Sequence, residues 1–107
     1  MPHNYTLRFG NAVKIGVTHG RDVAVRSIEH QRIANIGAVI YGLPAVKGEL
    51  LWIKQGLDEF DRNALERWMK EKLKKNRTKA GAEWFYATPD VLKFISDDPF
   101  RLWQDEI

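Results

Sequence analysis

The start of the chain alternates polar and apolar residues in two short runs. Residues 4–9 (NYTLRF) place an apolar or aromatic side chain at every second position, and residues 12–17 (AVKIGV) are rich in β-branched apolar residues. Gly10-Asn11 lies between the runs, and these two residue types tolerate the positive φ angles of a tight hairpin turn. The pattern predicts that a β-hairpin opens the fold.

Residues 22–34 predict the first helix. The segment contains no Gly or Pro and begins with Asp22, whose side chain is of a type that caps helices. Arg26 and His30 are four residues apart and share one face of this helix, roughly opposite the face that carries Ile28. A guanidinium and an imidazole therefore leave the helix in the same direction.

Residues 61–76 have the clearest helical pattern. Asp61 is the expected N-cap, and Phe60 before it is expected to pack against Leu65 as a hydrophobic staple. Glu66 lies at the edge of the apolar stripe, so we expect it to be neither fully buried nor free in solvent. The stripe itself recurs at helical spacing and comprises Leu65, Trp68, Met69 and Leu73.

Two apolar stretches are harder to assign. Residues 36–57 fit two strands, or one strand and a buried irregular segment, and we expect a core strand over 49–54 with a second near 38–41. Residues 83–87 (EWFYA) form either a short strand or the anchor of a loop. Both stretches are too short for their periodicity to decide between these alternatives.

The C-terminal part predicts one more helix and a tail. Thr88 caps a helix that runs to Ile95, with Pro89 at the first helical position, where no N–H donor is needed. Residues 96–107 contain aromatic side chains among acids, so they either pack back on the body or contact a partner.

These elements predict an α+β fold with a small, mostly antiparallel three-stranded sheet, opened by the hairpin and flanked by helices. A length of 107 residues fits a single domain. We assign this domain to residues 1–107, with a core over about 4–95 and a C-terminal tail over 96–107.

Composition excludes several classes of function. The chain has no cysteine, which excludes disulfides, thiolate metal sites and cysteine nucleophiles. No apolar run approaches the roughly 20 residues that span a membrane, and residues 1–10 lack the apolar stretch of a signal peptide. We therefore expect a soluble, cytoplasmic protein with no membrane contact. Walker, GxGxxG, HExxH and GxSxG motifs are absent, and the three histidines lack the spacing of a zinc site.

Basic residues are unevenly distributed along the chain. Residues 1–79 carry 15 Lys and Arg against 8 Asp and Glu, whereas residues 80–107 carry 2 against 6. The steepest run lies at 70–79, and such a cluster attracts phosphate backbones by releasing their counterions. A solvated helix face is the alternative, and it is the commoner role of a charge run. The candidate nucleic-acid-binding residues are Lys70, Lys72, Lys74, Lys75, Arg77 and Lys79.

Five polar side chains are candidates for a site. Tyr5 and Lys14 lie on the predicted hairpin, Arg26 and His30 on the first helix, and Glu66 on the second. Each also has a purely structural interpretation. Tyr5 fits an aromatic residue at the edge of the core, and Glu66 fits a partner for the lysine four residues later. The residue types alone do not show whether these side chains form a functional site or only stabilise the fold.

Two stretches resemble a known family of nucleases. NYTLRFGNAVKIGVT, followed by Arg26, resembles the opening of the GIY-YIG nuclease superfamily, and LERWMKEKLKKNRTKAGAEWF resembles the second signature of a phage-rich branch of it. That branch combines a tyrosine strand, a VKIG-type strand, a helical arginine, a helical glutamate and a closing EWF. The resemblance covers about residues 4–95 and assigns these positions to Tyr5, 13–16, Arg26, Glu66 and 83–85.

The resemblance implies a divalent-metal-dependent endonuclease that hydrolyses DNA. A single Mg²⁺ or Mn²⁺ held by Glu66 would act as a Lewis acid, and Arg26 would clamp the nonbridging oxygens. Tyr5, aided by Lys14 or His30, would position or deprotonate the attacking water. As a base, this phenol needs a nearby cation to lower its pKa from about 10. The basic run would hold the DNA backbone without reading its sequence.

The chain also departs from the family pattern. Asn4-Tyr5 lacks the Gly and Ile of the GIY motif, Lys14 replaces the second tyrosine, and Lys70 stands where many branch members carry a histidine. The last change motivates a second hypothesis, in which the scaffold binds nucleic acid without cleaving it. A third hypothesis is a protein-interaction module that acts through the acidic, aromatic tail.

Overall fold

The computed structural model describes residues 2–18 and 48–107. These residues form a four-stranded antiparallel sheet and three α-helices, which confirms the predicted α+β class. The helix predicted over 22–34 and the strand predicted near 38–41 lie outside the described residues. None of the described helices is long and apolar enough to cross a membrane.

The predicted hairpin is confirmed. β1 (His3–Phe9) and β2 (Ala12–Thr18) pair antiparallel, and their register leaves Gly10 and Asn11 as the turn. Gly10 has a φ of 61°, in the left-handed region that glycine adopts without steric cost. The turn chemistry read from the sequence therefore sets the register of the first two strands.

Two further strands complete the sheet in the order β3-β1-β2-β4. β3 (Gly48–Gln55) confirms a strand over 49–54. The prediction that it is a core strand is wrong, because β3 forms an edge of the described sheet and none of its residues is buried. β4 (Trp84–Tyr86) is a three-residue strand that pairs antiparallel with β2, with Val13 opposite Phe85. The segment that fitted either a strand or a loop anchor is therefore a strand, and it adds a fourth strand to the predicted three.

The helix α1 (Glu59–Lys72) begins earlier than predicted. Asp58, and not Asp61, is its N-cap, because Oδ1 of Asp58 accepts a hydrogen bond from the backbone N of Asp61 at 2.8 Å. Phe60 falls on the outer side of the first turn and is 75% exposed, so the predicted staple with Leu65 is wrong. Both acids are of capping type, and the sequence pattern did not distinguish them.

The helix α1 also ends earlier than predicted. The α-helix stops at Lys72, and Leu73 leads into a 3₁₀ turn at Lys74–Asn76. Its apolar stripe is confirmed, since Leu65, Met69 and Leu73 are buried and Trp68 is partly buried.

Two further helices follow β4 and contribute side chains to the main core. Thr88 caps α2 (Pro89–Ser96) as predicted, and its hydroxyl accepts a hydrogen bond from the backbone N of Val91 at 3.3 Å. α3 (Pro99–Glu106) packs back on the body, and its Trp103 joins the main core. The main core comprises Val13, Ile15, Leu65, Met69, Leu73, Phe85, Val91, Ile95 and Trp103.

A second, smaller cluster lies on the other face of the sheet. It contains Tyr5, Leu7 and Phe9 of β1. Asn4 points to the helical side instead, where its Nδ2 donates to the carbonyl oxygen of Arg62 in α1 at 2.9 Å. Because neighbouring strand side chains alternate between faces, Tyr5 leaves the sheet on the face opposite α1.

Candidate active site

Glu83, the residue before β4, contacts two lysines that approach it from different faces of the sheet. Its Oε2 accepts a hydrogen bond from Nζ of Lys14 on β2, and its Oε1 accepts one from Nζ of Lys70 on α1 at 3.4 Å. The backbone N of Ile15 donates to the carbonyl oxygen of Glu83 at 3.0 Å. This backbone bond fixes Glu83 beside β2, so its carboxylate lies at the outer edge of the sheet.

Glu66 joins the same group of charges through Lys70. Nζ of Lys70 donates to Oε1 of Glu66 at 3.1 Å, one turn earlier on α1. The side chain of Glu66 is 16% exposed, which confirms its predicted position at the edge of the apolar stripe. The i,i+4 pair expected from the sequence therefore exists, but Lys70 also reaches Glu83.

We name Lys14, Glu83, Lys70 and Glu66 the edge network. It contains two ammonium groups and two carboxylates, so its formal charges balance. Lys14 and Lys70 have side chains that are 7% and 18% exposed, respectively. In such partly desolvated surroundings, removing one partner leaves another charge poorly compensated. The network thus fixes the positions of its charged groups more firmly than an ion pair in open solvent.

Lys14 is held by an aromatic ring as well as by a carboxylate. Its Nζ lies 5.6 Å from the ring centroid of Trp84, its register partner on β4. A cation above a ring face is attracted by the ring quadrupole, and more strongly where water is excluded. The sequence-predicted Lys14 is therefore a buried and oriented positive charge.

Tyr5 lies on the same sheet face as Lys14. It pairs with Gly16, so Lys14, two residues before Gly16, is its diagonal neighbour across the hairpin. The ring crosses directly over Gly16, because a Cβ on that glycine would lie 2.5 Å from Cζ of Tyr5. Tyr5 is fully buried, and it lies on the opposite face of the sheet from the helix that carries Glu66.

His3 is a polar residue to which the sequence analysis gave no role. It is buried two residues before Tyr5 on the same strand face, and the two ring centroids are 6.4 Å apart in an edge-on arrangement. Within the described part of the chain, neither ring nitrogen has a hydrogen-bond partner. The alternating pattern of β1 could have indicated this neighbour of Tyr5, because it places residues 3 and 5 on the same face of the strand.

The structure describes three of the five predicted site residues. Arg26 and His30 lie in the segment 19–47, outside the described residues. Of the other three, Lys14 and Glu66 belong to the edge network, and Tyr5 adjoins it through Lys14. Glu83 was missed as a site residue because its contact with Lys14 depends on the pairing of β4 with β2.

Half of the predicted basic run is engaged in ion pairs. Lys70 belongs to the edge network. Nζ of Lys72 lies 3.0 Å from Glu106 at the end of α3, and Nζ of Lys74 lies 2.6 Å from Glu71. The hydrogen bond and charge of Lys74 lower the pKa of the exposed Glu71 carboxyl from its ordinary value.

The other half forms an exposed, cationic strip. Within the part of the chain that the structure describes, Lys75, Arg77 and Lys79 form no ion pair. We name residues 75–79 the basic segment. It runs beside β4, because Arg77 forms an antiparallel bridge with Phe85 and the backbone N of residue 78 donates to the carbonyl oxygen of residue 84 at 2.9 Å.

The edge network offers two carboxylates, the ligand type that a divalent cation takes from a protein. Mg²⁺ keeps several waters and is often bound through one or two carboxylates. Glu66 and Glu83 both contact the ammonium of Lys70, so a metal ion that binds both carboxylates would replace that ammonium. Among residues 2–18 and 48–107, no group of three or more His, Cys, Asp or Glu is arranged to hold a metal ion.

No family model, curated protein or solved structure matches this chain. Membership of the GIY-YIG superfamily therefore stays a prediction from the sequence motifs. The function has to be inferred from the edge network and the basic segment.

Proposed function

We propose that the protein is a divalent-metal-dependent endonuclease that hydrolyses phosphodiester bonds of DNA, on a GIY-YIG-like fold. The observation that supports this most is the edge network. Lys14 and Glu66 are far apart in sequence and were singled out by separate motifs, yet Glu83 and Lys70 join them into one set of contacts. A purely structural origin of the motifs does not require this convergence.

Each residue of the proposed site has a distinct task. Glu66 would hold the Mg²⁺ or Mn²⁺, which supplies Lewis-acid polarisation of a phosphoryl oxygen when bound. Lys14 provides a fixed positive charge that stabilises negative charge developing on the phosphate. Arg26 would clamp the nonbridging oxygens with its planar fork. The resemblance assigns the positioning or deprotonation of the attacking water to Tyr5, aided by Lys14 or His30, although Tyr5 is fully buried on the face of the sheet opposite α1.

The basic segment would bind the flanking backbone. Lys75, Arg77 and Lys79 are exposed and have no ion-pair partner in the described part of the chain, so phosphates do not have to displace a carboxylate from them. Contacts of this kind hold the nucleic acid without reading its bases. We therefore propose low sequence preference.

A cleavage assay tests the proposal. Labelled single- and double-stranded DNA are incubated with the protein in Mg²⁺, in Mn²⁺ and in EDTA. We expect products only with metal, and we expect Glu66→Ala and Arg26→Ala to abolish them while circular dichroism shows an unchanged fold. Cleavage at the wild-type rate by both variants would refute the proposal.

One observation favours a second candidate function, a nucleic-acid-binding module without turnover. The ammonium of Lys70 already neutralises Glu66, and it stands at the position where many members of the branch carry a histidine. This candidate predicts salt-sensitive DNA binding with no products even in Mn²⁺. The same assay, combined with a binding measurement in EDTA, separates the two functions.

A further inference from the structure

We infer that the proposed nucleic-acid interface takes single-stranded DNA, with an unpaired base stacked on Tyr86. This inference rests on the proposed function, and it specifies the substrate class that the sequence left open. It follows from three features of the region around β4. These are the exposed ring of Tyr86, the neighbouring basic segment, and the short strand β4, which carries Tyr86 and is bridged to the basic segment.

Tyr86 is the exposed aromatic residue of β4. Its side chain is 52% exposed, whereas Phe85 before it is fully buried in the main core. Within the described residues, the hydroxyl of Tyr86 forms no hydrogen bond and the ring contacts no other aromatic ring. An aromatic ring is thus presented to solvent from a strand of the sheet.

The backbone of the basic segment lies beside the end of β4 that carries Tyr86. The bridge between Arg77 and Phe85 runs antiparallel, so the next register position brings Tyr86 beside Asn76. A side-chain hydrogen bond from Thr88 to Asn76 at 3.3 Å holds the same two stretches together. Asn76 is flanked in sequence by Lys75 and Arg77, and both of these are exposed cations.

This combination is characteristic of sites for single-stranded nucleic acid. Such sites pair a cationic track for the backbone with aromatic rings on which bases stack, and stacking is tolerant of sequence because every base has a π-face. In a duplex the base faces are stacked on each other, so a ring of this kind gains little from contact with it. Tyr86 would therefore raise the affinity for a single strand and leave the affinity for a duplex unchanged.

The test compares the binding of two DNA forms by the full chain and its variants. Fluorescence anisotropy in EDTA measures the affinity for a single strand of about 12 nucleotides, within the usual site-size range, and for the duplex of the same sequence. The variants are Tyr86→Leu, which removes the aromatic face, and Tyr86→Phe, which keeps it. Phe60→Leu is the matched control, because Phe60 is exposed but lies about 18 Å along α1 from Lys72.

We expect Tyr86→Leu to weaken single-strand binding about tenfold, the size of effect typical for one stacked base. Duplex binding should change less than twofold, and Tyr86→Phe and Phe60→Leu should bind like the wild type. Equal losses for both DNA forms, or no loss for the single strand, would overturn the inference while leaving the proposed function in place. Failure of the wild-type protein to bind either form would instead refute the proposed function, and the inference with it.

Discussion

Gly16 is a residue at which the packing of Tyr5 forbids a side chain. Replacing glycine inside a strand by alanine is ordinarily stabilising, by roughly 0.5–1 kcal/mol. Here the added Cβ would lie 2.5 Å from Cζ of Tyr5, whose ring is fully buried. The glycine of the VKIG motif is therefore explained by the tyrosine opposite it.

We predict that Gly16→Ala lowers the free energy of unfolding by about 1–3 kcal/mol, the usual cost of overpacking. Urea denaturation measures this change. The double variant Gly16→Ala with Tyr5→Leu should be less destabilised than the sum of its two single variants, because the smaller side chain relieves the clash. A Gly16→Ala protein more stable than the wild type would show that the ring does not cross this glycine.

We predict that Glu83→Gln destabilises the protein by about 1 kcal/mol at neutral pH, because the buried Lys14 loses the charge of a hydrogen-bonded partner. It should also slow DNA cleavage more than it weakens DNA binding. Glu71→Gln is the matched control, since Glu71 pairs with Lys74 in open solvent, where ion pairs contribute little. Thermal denaturation that gives equal shifts for the two variants would contradict the role of the edge network.

Local patterns predicted the elements whose determinants are local. The turn at Gly10, the apolar stripe of α1 and the Thr88 cap follow from neighbouring residues, and the structure confirms them. The predicted start of α1 was wrong because Asp58 and Asp61 both have side chains that can cap a helix. β4 could not be assigned because a three-residue strand depends on β2, which is distant in sequence. The role of Glu83 was missed for the same reason.

We predict that Asp58→Ala costs about 1 kcal/mol of unfolding free energy, as expected for the loss of an N-cap. Asp61→Ala should cost less, roughly 0.3–0.5 kcal/mol, because Asp61 contributes mainly through its charge near the helix N-terminus. Chemical denaturation of both variants measures the difference. A larger loss for Asp61→Ala would place the start of the helix where the sequence pattern predicted it.

At the scale of the whole molecule, the basic run at 70–79 divides into three lysines paired with carboxylates and the exposed basic segment. The acidic end of α3 neutralises part of the basic run, since Glu106 pairs with Lys72 and accepts a hydrogen bond from Nε1 of Trp68 at 3.2 Å. The aromatic Trp103 of the same tail is buried in the core. The tail thus contributes packing and charge compensation to the body, and the basic segment beside β4 stays exposed.

Glu83 of the edge network lies just before β4, and the basic segment runs antiparallel beside β4. The backbone of residue 78 bonds that of residue 84, so the basic segment passes the end of β4 next to Glu83. This arrangement links binding and chemistry in the proposed endonuclease, and it makes the carboxylate of Glu66 the group on which turnover depends.

The most direct test of the endonuclease account compares two variants, Glu66→Gln and Glu59→Gln. The quantity measured is the single-turnover rate of DNA cleavage in Mn²⁺. Both changes remove one carboxylate charge from α1 while keeping the side-chain shape, but Glu59 is exposed in the first turn, away from the edge network. The endonuclease account predicts at least about a 100-fold slower rate for Glu66→Gln, with DNA affinity retained, and a wild-type rate for Glu59→Gln. Equal rates for the two variants would contradict it.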